Sequence, residues 1–242
     1  MKIKKVSLTA VISLCSVLLV NNIACAGIQV SPMTVTMNPE RQYVGEINVF
    51  SDVKERQYID VQVRKIENPA TPEQQEKTFS ARENAGDIII SPSRFILLPG
   101  GHRLIRILSD GPPAREEAWR VYVRPVSAKE FGESTENRAA NVTLNIDWGV
   151  LVHNEPQNPQ TGFRYEPVKG ALTNTGNVRA FITRYGFCQS VTGCKWMTFG
   201  HAIYPGMSGI LNKKKEDITG ENKLIVEYLQ GDNTARYKNI AF

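Results

Sequence analysis

The sequence predicts an all-β protein made of two sandwich domains. Its periodic segments read as short strands rich in β-branched and aromatic residues, and Gly/Pro turn signals separate them. Residues 154–162 are polar and contain two prolines, which is typical of a linker between two runs of strands. No segment combines a 3.6-residue period with helix caps over three turns.

The first run of strands predicts a domain at residues 27–153. The strands are expected at residues 28–37, 42–50, 57–66, 88–90, 94–97, 103–108, 117–126 and 142–152. About eight short strands at this spacing favour an immunoglobulin-like β-sandwich. The polar segment 68–86, rich in Glu and Gln, is expected to be an insertion between two strands.

The second run predicts a smaller β-sandwich at residues 163–242, so that a short linker joins two immunoglobulin-like domains. Cys188 and Cys194 are separated by five residues that include Thr192-Gly193. In an exported protein this spacing predicts a disulfide across a strand-to-strand turn. A zinc site would need further ligands, and the three histidines of the chain are scattered singly.

Residues 1–26 have the pattern of a secretory signal peptide. A positive start is followed by an apolar run at residues 6–20 and by Ala24-Cys25-Ala26, a small-residue cleavage site. The apolar run is short for a membrane span, so no stable membrane insertion is expected. Export, the cysteine pair and the absence of eukaryotic sorting features together predict a bacterial periplasmic protein.

Charge and motifs exclude several classes of function. Removal of the signal peptide leaves 26 Lys and Arg against 24 Asp and Glu, which does not favour nucleic-acid binding. The chain contains no GxGxxG, P-loop, HExxH or metal-spaced Cys/His motif. We therefore expect no catalytic residue, no cofactor, no metal site and no enzymatic activity.

Residues 141–148 alternate polar and apolar side chains with a period of two. In an extended strand, Val142, Leu144, Ile146 and Trp148 project from one face. Such alternation is common in a half-buried strand. Between two exported β domains without catalytic motifs, it suggests a strand whose apolar face is lent to another protein.

The order of these features resembles the periplasmic chaperones of chaperone–usher pili. Residues 98–107 look like the family's Pro-Gly turn and the strand that follows it, and residues 117–126 are similar to its F strand. The run Asn174-Thr175-Gly176-Asn177-Val178-Arg179, upstream of the cysteines, looks like the alternate class that serves colonisation-factor-type fimbriae. The resemblance covers essentially the whole mature chain.

The resemblance implies a mechanism and partners. Subunits of these pili lack their last strand, and the chaperone supplies its own G strand to the open groove. The donor residues would be Val142, Leu144 and Ile146, with Trp148 as a further contact. The alternative is that these side chains pack in the chain's own sandwich. The implied partners are fimbrial subunits and an outer-membrane usher, and the resemblance also allows a self-capping dimer.

One departure from the family concerns the anchor for the subunit's terminal carboxylate. Better-known members use an Arg on the first strand and a Lys late in the G strand, which by position become Thr34 and Leu151 here. If strands F and G are antiparallel, Arg120 lies near Leu151, and we hypothesise that Arg120 replaces the anchor. The competing interpretation is an ion pair of Arg120 with Glu116, Glu117 or Glu155.

Two rival functions belong to other classes. A fimbrial structural subunit or adhesin would have one incomplete domain and its own N-terminal donor extension. A secreted β-sandwich enzyme would have a cleft with convergent carboxylates or a metal site.

Overall fold

The computed structural model describes residues 27–78, 88–133, 146–212, 223–230 and 234–241. Within these ranges strands dominate, and the predicted all-β fold with two sandwiches is confirmed. None of the helices in these ranges has the length and apolar character that a membrane span requires.

Ten strands of the first half form two sheets that share one core. The strands are β1 (Ile28–Ser31), β2 (Thr34–Met37), β3 (Val44–Ser51), β4 (Gln57–Glu67), β5 (Gln75–Thr78), β6 (Ile88–Ser91), β7 (Arg94–Leu97), β8 (His102–Ser109), β9 (Glu117–Val126) and β10 (Trp148–Asn154). One sheet has the order β1-β3-β8-β6. The other has the order β2-β10-β9-β4-β5, with β7 also paired to β4. Only the pair of β2 and β10 is parallel among these strands.

The core of this sandwich lies between the inner faces of the two sheets. Alternate residues of the central strands are buried, as a period of two requires when one face meets the core. The buried side chains of the central strands include Ile47, Val49, Ile105, Ile107, Trp119, Val121, Val123, Val150 and Val152. The opposite face of the β9 sheet is thereby free to carry charged groups.

Seven strands of the second half form two further sheets. They are β11 (Phe163–Glu166), β12 (Ala171–Asn174), β13 (Ala180–Cys188), β14 (Met197–Ile203), β15 (Ser208–Ile210), β16 (Lys223–Gln230) and β17 (Thr234–Ile240). The sheet orders are β11-β12-β15 and β14-β13-β16-β17. A separate apolar core fills this sandwich, with Leu172, Ile182, Leu224 and Val226 among its most buried members.

The predicted disulfide is present in the second sandwich. Cys188 is the last residue of β13, and its Cα lies 5.5 Å from that of Cys194 in the following turn. Gly193 in this turn has φ 79°, a backbone conformation that glycine adopts without steric cost. The disulfide adds a covalent restraint to a domain whose core is small.

Three local features differ from the sequence-based expectation. The polar insertion at 68–86 contains an edge strand, β5, which pairs with β4. A short helix α1 (Ala128–Phe131) follows β9 and is capped by Ser127, whose hydroxyl accepts from the Glu130 amide at 3.2 Å. β10 ends at Asn154, one residue beyond the predicted end of the first domain.

Candidate functional site

The described part of β10 begins beside the predicted donor residues. Val142 and Leu144 lie outside the described residues, and Ile146 is 44% exposed. Trp148 faces inward instead, because it lies opposite the buried Val123 and packs against the first core. Trp148 therefore packs in the chain's own sandwich, which was the alternative to a donor role. Val142, Leu144 and Ile146 remain the predicted donor residues.

The first half of β10 has one open edge. β9 pairs with the whole strand, whereas β2 pairs only with Leu151–Asn154. Among the described residues, no strand lies beside Trp148–Val150 on the side away from β9. The Leu151 amide donates to the carbonyl of Met33 at 3.0 Å on this side. Since peptide groups alternate direction along a strand, the amide and carbonyl of Gly149 point to the open edge.

Arg120 lies where the sequence argument expected it. In the strand register, Leu151 is the direct partner of Arg120 on β9 and of Thr34 on β2. These three residues therefore form a row across the outer face of the sheet. The guanidinium of Arg120 is the cationic group of that row.

A half-buried polar cluster surrounds Arg120. Its Nε donates to Oε1 of Glu76 at 2.9 Å, and the Tyr122 hydroxyl donates to Oε2 at 2.9 Å. Arg64 lies 3.7 Å from the same carboxylate, and its guanidinium stacks 4.8 Å from the centre of the Tyr122 ring. A Cβ at Gly149 would lie 3.1 Å from Cδ of Arg120, so the glycine leaves room for this side chain.

The partner of Arg120 differs from all three carboxylates expected from the sequence. Glu117 pairs with Lys65 at 2.6 Å, and the other two contact Arg179. The sequence did not indicate Glu76 as the partner of Arg120, because the polar segment that contains it has no amphipathic period. An edge strand with two polar faces leaves no such signal.

The cluster has the charge and the hydrogen-bond donors that suit a carboxylate. Within the described part of the chain, two arginines face one glutamate, so the group carries one positive charge in excess. Burial raises the pKa of Tyr122, and the hydrogen bond to Glu76 raises it further, so the phenol stays a donor. Guanidinium groups bind carboxylates through charge-assisted hydrogen bonds.

A buried ionic network joins the two domains. The Glu116 amide donates to the carbonyl of Asn177 at 2.8 Å, and its carboxylate accepts from the Arg179 amide at 2.6 Å. The Arg179 guanidinium also contacts this carboxylate directly. It reaches Oε1 of Glu155 at 3.4 Å, and Nδ1 of His153 lies 3.1 Å from Oε1 of Glu116.

The electrostatics of the network favour an ionised Glu116. Burial alone would raise the pKa of this carboxyl, but the contact with His153 and the charge of Arg179 outweigh it, and the net pKa is lowered. Burial lowers the pKa of His153, and the Arg179 charge acts in the same direction. A negative Glu116 is thus paired with a positive Arg179 across the domain junction.

The turn that begins with Asn174 fastens the linker to this junction. The buried Asn174 side chain donates to the carbonyl of Ile203 at 2.8 Å and accepts from the Gly176 amide at 2.9 Å. The Asn177 side chain accepts from the Gln160 amide of the linker at 2.6 Å. The motif that carried the class resemblance therefore has a structural role between the domains.

Comparison with known proteins adds relatives of similar length. No family model matches the chain. It is 29% identical over 171 residues to a CS1 fimbrial subunit of Escherichia coli, covering 67% of this chain and 71% of the relative. It is 23% identical over 175 residues to the probable fimbrial chaperone EcpB of Escherichia coli O1:K1, covering 72% and 75%.

Solved structures share the whole architecture. The class 5 fimbriae chaperone CfaA matches with a TM-score of 0.72 and 22% identity, covering 89% of this chain and 99% of CfaA. The chain therefore shares the two-domain fold of this fimbriae chaperone. A chain of the chaperone–tip adhesin complex of CFA/I fimbriae biogenesis matches with a TM-score of 0.68 and 23% identity, covering 89% of this chain and 99% of that chain. At these identities the structures establish the shared fold.

The names of the relatives bear on the rival predictions. The names of these relatives and structural neighbours refer to fimbriae and not to an enzyme. Some curated relatives of the chain carry the word subunit in their names. The chain shares the two-domain fold of the chaperone CfaA, whereas a structural subunit was expected to have one incomplete domain.

Proposed function

We propose that this protein is a periplasmic chaperone that binds exported fimbrial subunits by donor-strand complementation and delivers them to an outer-membrane usher. The observation that carries the proposal is the open edge of β10 at Trp148–Val150, next to the exposed Ile146 and the alternating residues before it. An unpaired edge offers backbone groups to a partner strand, while alternate apolar side chains supply pocket contacts.

The periplasmic location fits the chemistry of the chain. Fimbrial chaperones are periplasmic proteins. A signal peptide is predicted at residues 1–26, and the Cys188–Cys194 disulfide is of the kind that persists in an oxidising compartment. Delivery to an usher follows from the family role and completes the proposal.

The cluster around Arg120 is the proposed anchor for the subunit's terminal carboxylate. Arg120 adjoins Leu151, one of the two positions that carry the cationic anchor in better-known members, and Arg64 adds a second guanidinium. Glu76 now holds Arg120 at 2.9 Å, so an incoming carboxylate would share or replace this contact. A strand added along β10 would then end near a fixed charge, which sets its register.

The experiment uses the chaperone with the exported fimbrial subunits of the bacterium that makes it. Each subunit, refolded from denaturant, is offered with a free C-terminal carboxylate or with a C-terminal amide. We expect wild type to capture one subunit in a soluble complex and to bind the carboxylate form about tenfold more tightly. If instead the chain is incorporated into fimbriae as a building block, the chaperone proposal is wrong.

Arg120→Ala tests the anchor within the same experiment. We expect this variant to bind the carboxylate form about tenfold more weakly and to lose its preference over the amide. Arg106→Ala is the matched control, since Arg106 pairs with Glu46 at 3.7 Å on the other sheet. Wild-type affinity of Arg120→Ala for the carboxylate form would overturn the anchor and leave donor-strand binding intact.

A further inference from the structure

Two described segments flank residues 134–145, which include most of the proposed donor residues. The first flank is helix α1 with the next two residues, Gly132 and Glu133. The second flank begins at Ile146 and Asp147 and leads into β10. Both flanks contact the outer face of the sheet that contains β4 and β9.

The first flank is held by aromatic and cationic contacts. The Phe131 ring lies 5.1 Å from the ring of Tyr58 and 4.6 Å from the guanidinium of Arg94. Arg94 also donates through Nη2 to the carbonyl of Glu130 at 3.0 Å, and the Tyr58 hydroxyl donates to Glu133 at 2.5 Å. Arg94 therefore binds both the ring and the backbone of α1.

The second flank is held by one charge-assisted hydrogen bond. Nε of Arg124 on β9 donates to Oδ2 of Asp147 at 3.0 Å. Asp147 immediately precedes Trp148, the first residue of β10. Arg124 thus fixes the point where the strand begins.

Asp60 connects the two arginines. Its register partners are Arg94 on β7 and Arg124 on β9. One carboxylate oxygen lies 3.4 Å from Nε of Arg94, and the other lies 3.9 Å from Nη1 of Arg124. Gln62 donates to the second oxygen at 3.1 Å, and the Asp60 side chain is only 24% exposed. A single carboxylate therefore lies within ion-pair distance of both arginines, each of which contacts one flank.

We propose that Asp60 is a positioning residue for subunit capture, acting through Arg94 and Arg124 to hold both ends of the donor segment against the sheet. This inference rests on the proposed donor-strand function. Fixing the two ends of a segment reduces the conformational entropy that must be lost when it pairs with a partner. The network would therefore act on the rate of capture and leave the stability of the sandwich largely unchanged.

The first test measures hydrogen exchange in the free chaperone. Asp60→Asn keeps the shape and removes the charge, and we expect faster exchange at the hydrogen-bonded amides of both flanks, those of residues 131–133 and that of Trp148, which faces β9. Arg94→Lys should affect only the first flank and Arg124→Lys only the second. Glu46→Gln is the matched control, because it removes a carboxylate from an ion pair on the other sheet. An effect of Asp60→Asn on one flank alone, or on neither, would overturn the proposal that Asp60 connects the two flanks.

The second test measures the association rate with the subunit identified above. We expect Asp60→Asn to slow association about fivefold at an unchanged melting temperature, and Glu46→Gln to match wild type. Faster exchange with an unchanged association rate would overturn the positioning role. If wild type captures no subunit at all, the proposed function fails, while the exchange result still decides whether Asp60 joins the flanks.

Discussion

Replacing Val142, Leu144 and Ile146 together by Asp is expected to abolish capture of fimbrial subunits. Each of these apolar side chains would contribute about 1.5–3 kcal/mol when it fills a subunit pocket. Three carboxylates at those positions would also be buried without partners, which adds a desolvation cost. Pull-down of the subunit with the purified variant measures the loss, and we expect no complex at micromolar concentrations.

The control for this variant carries three Asp residues at other exposed apolar positions. Ile89, Leu98 and Val168 are all well exposed and lie away from β10. We expect this control to capture the subunit normally. Thermal unfolding separates the two interpretations of the donor residues, because residues packed in the chaperone's own core would lower the melting temperature when changed to Asp. Capture by the donor variant at wild-type level would contradict the donor assignment.

Arg179→Ala is expected to destabilise the chaperone by about 2–4 kcal/mol. The variant removes the positive partner of Glu116, whose side chain is completely buried, and leaves this negative charge with only His153 and the backbone amide of residue 179 as partners. It also removes the 3.4 Å contact with Glu155. Denaturant unfolding of wild type and variant gives the difference in the free energy of unfolding.

Lys169→Ala is the matched control for this prediction. Lys169 pairs with Glu166 on the exposed surface of the second domain, where an ion pair contributes little. We expect its free energy of unfolding to differ from wild type by less than about 0.5 kcal/mol. A loss for Arg179→Ala no larger than that of Lys169→Ala would show that the junction network does not hold the domains together.

The strands could be predicted from the sequence, because burial of one sheet face gives the apolar residues of a strand a period of two. Val121 and Val123 on β9 and Val150 and Val152 on β10 alternate with residues that face away from the core, and this alternation predicted both strands. The disulfide was equally predictable, since its two cysteines are close in the sequence and flank a turn.

The polar contacts could not be predicted from the sequence, because they join residues that are far apart in the chain. Glu76 reaches Arg120 from an edge strand that has no apolar face, and Glu116 reaches Arg179 across the domain junction. Neither pair has a spacing rule, because register across several strands decides which side chains meet. The sequence correctly placed Arg120 near Leu151 and could not identify the carboxylate that holds it.

Hydrogen exchange of the backbone amides of β10, in the free chaperone and in its complex with a fimbrial subunit, tests donor-strand complementation most directly. The amides of Asp147 and Gly149 point to the open edge, on the same side as the Leu151 amide that donates to Met33. We predict that these two amides become protected in the complex, while those of Trp148 and Val150, which face β9, change little. Equal exchange of Asp147 and Gly149 in the free and bound chaperone would contradict the account.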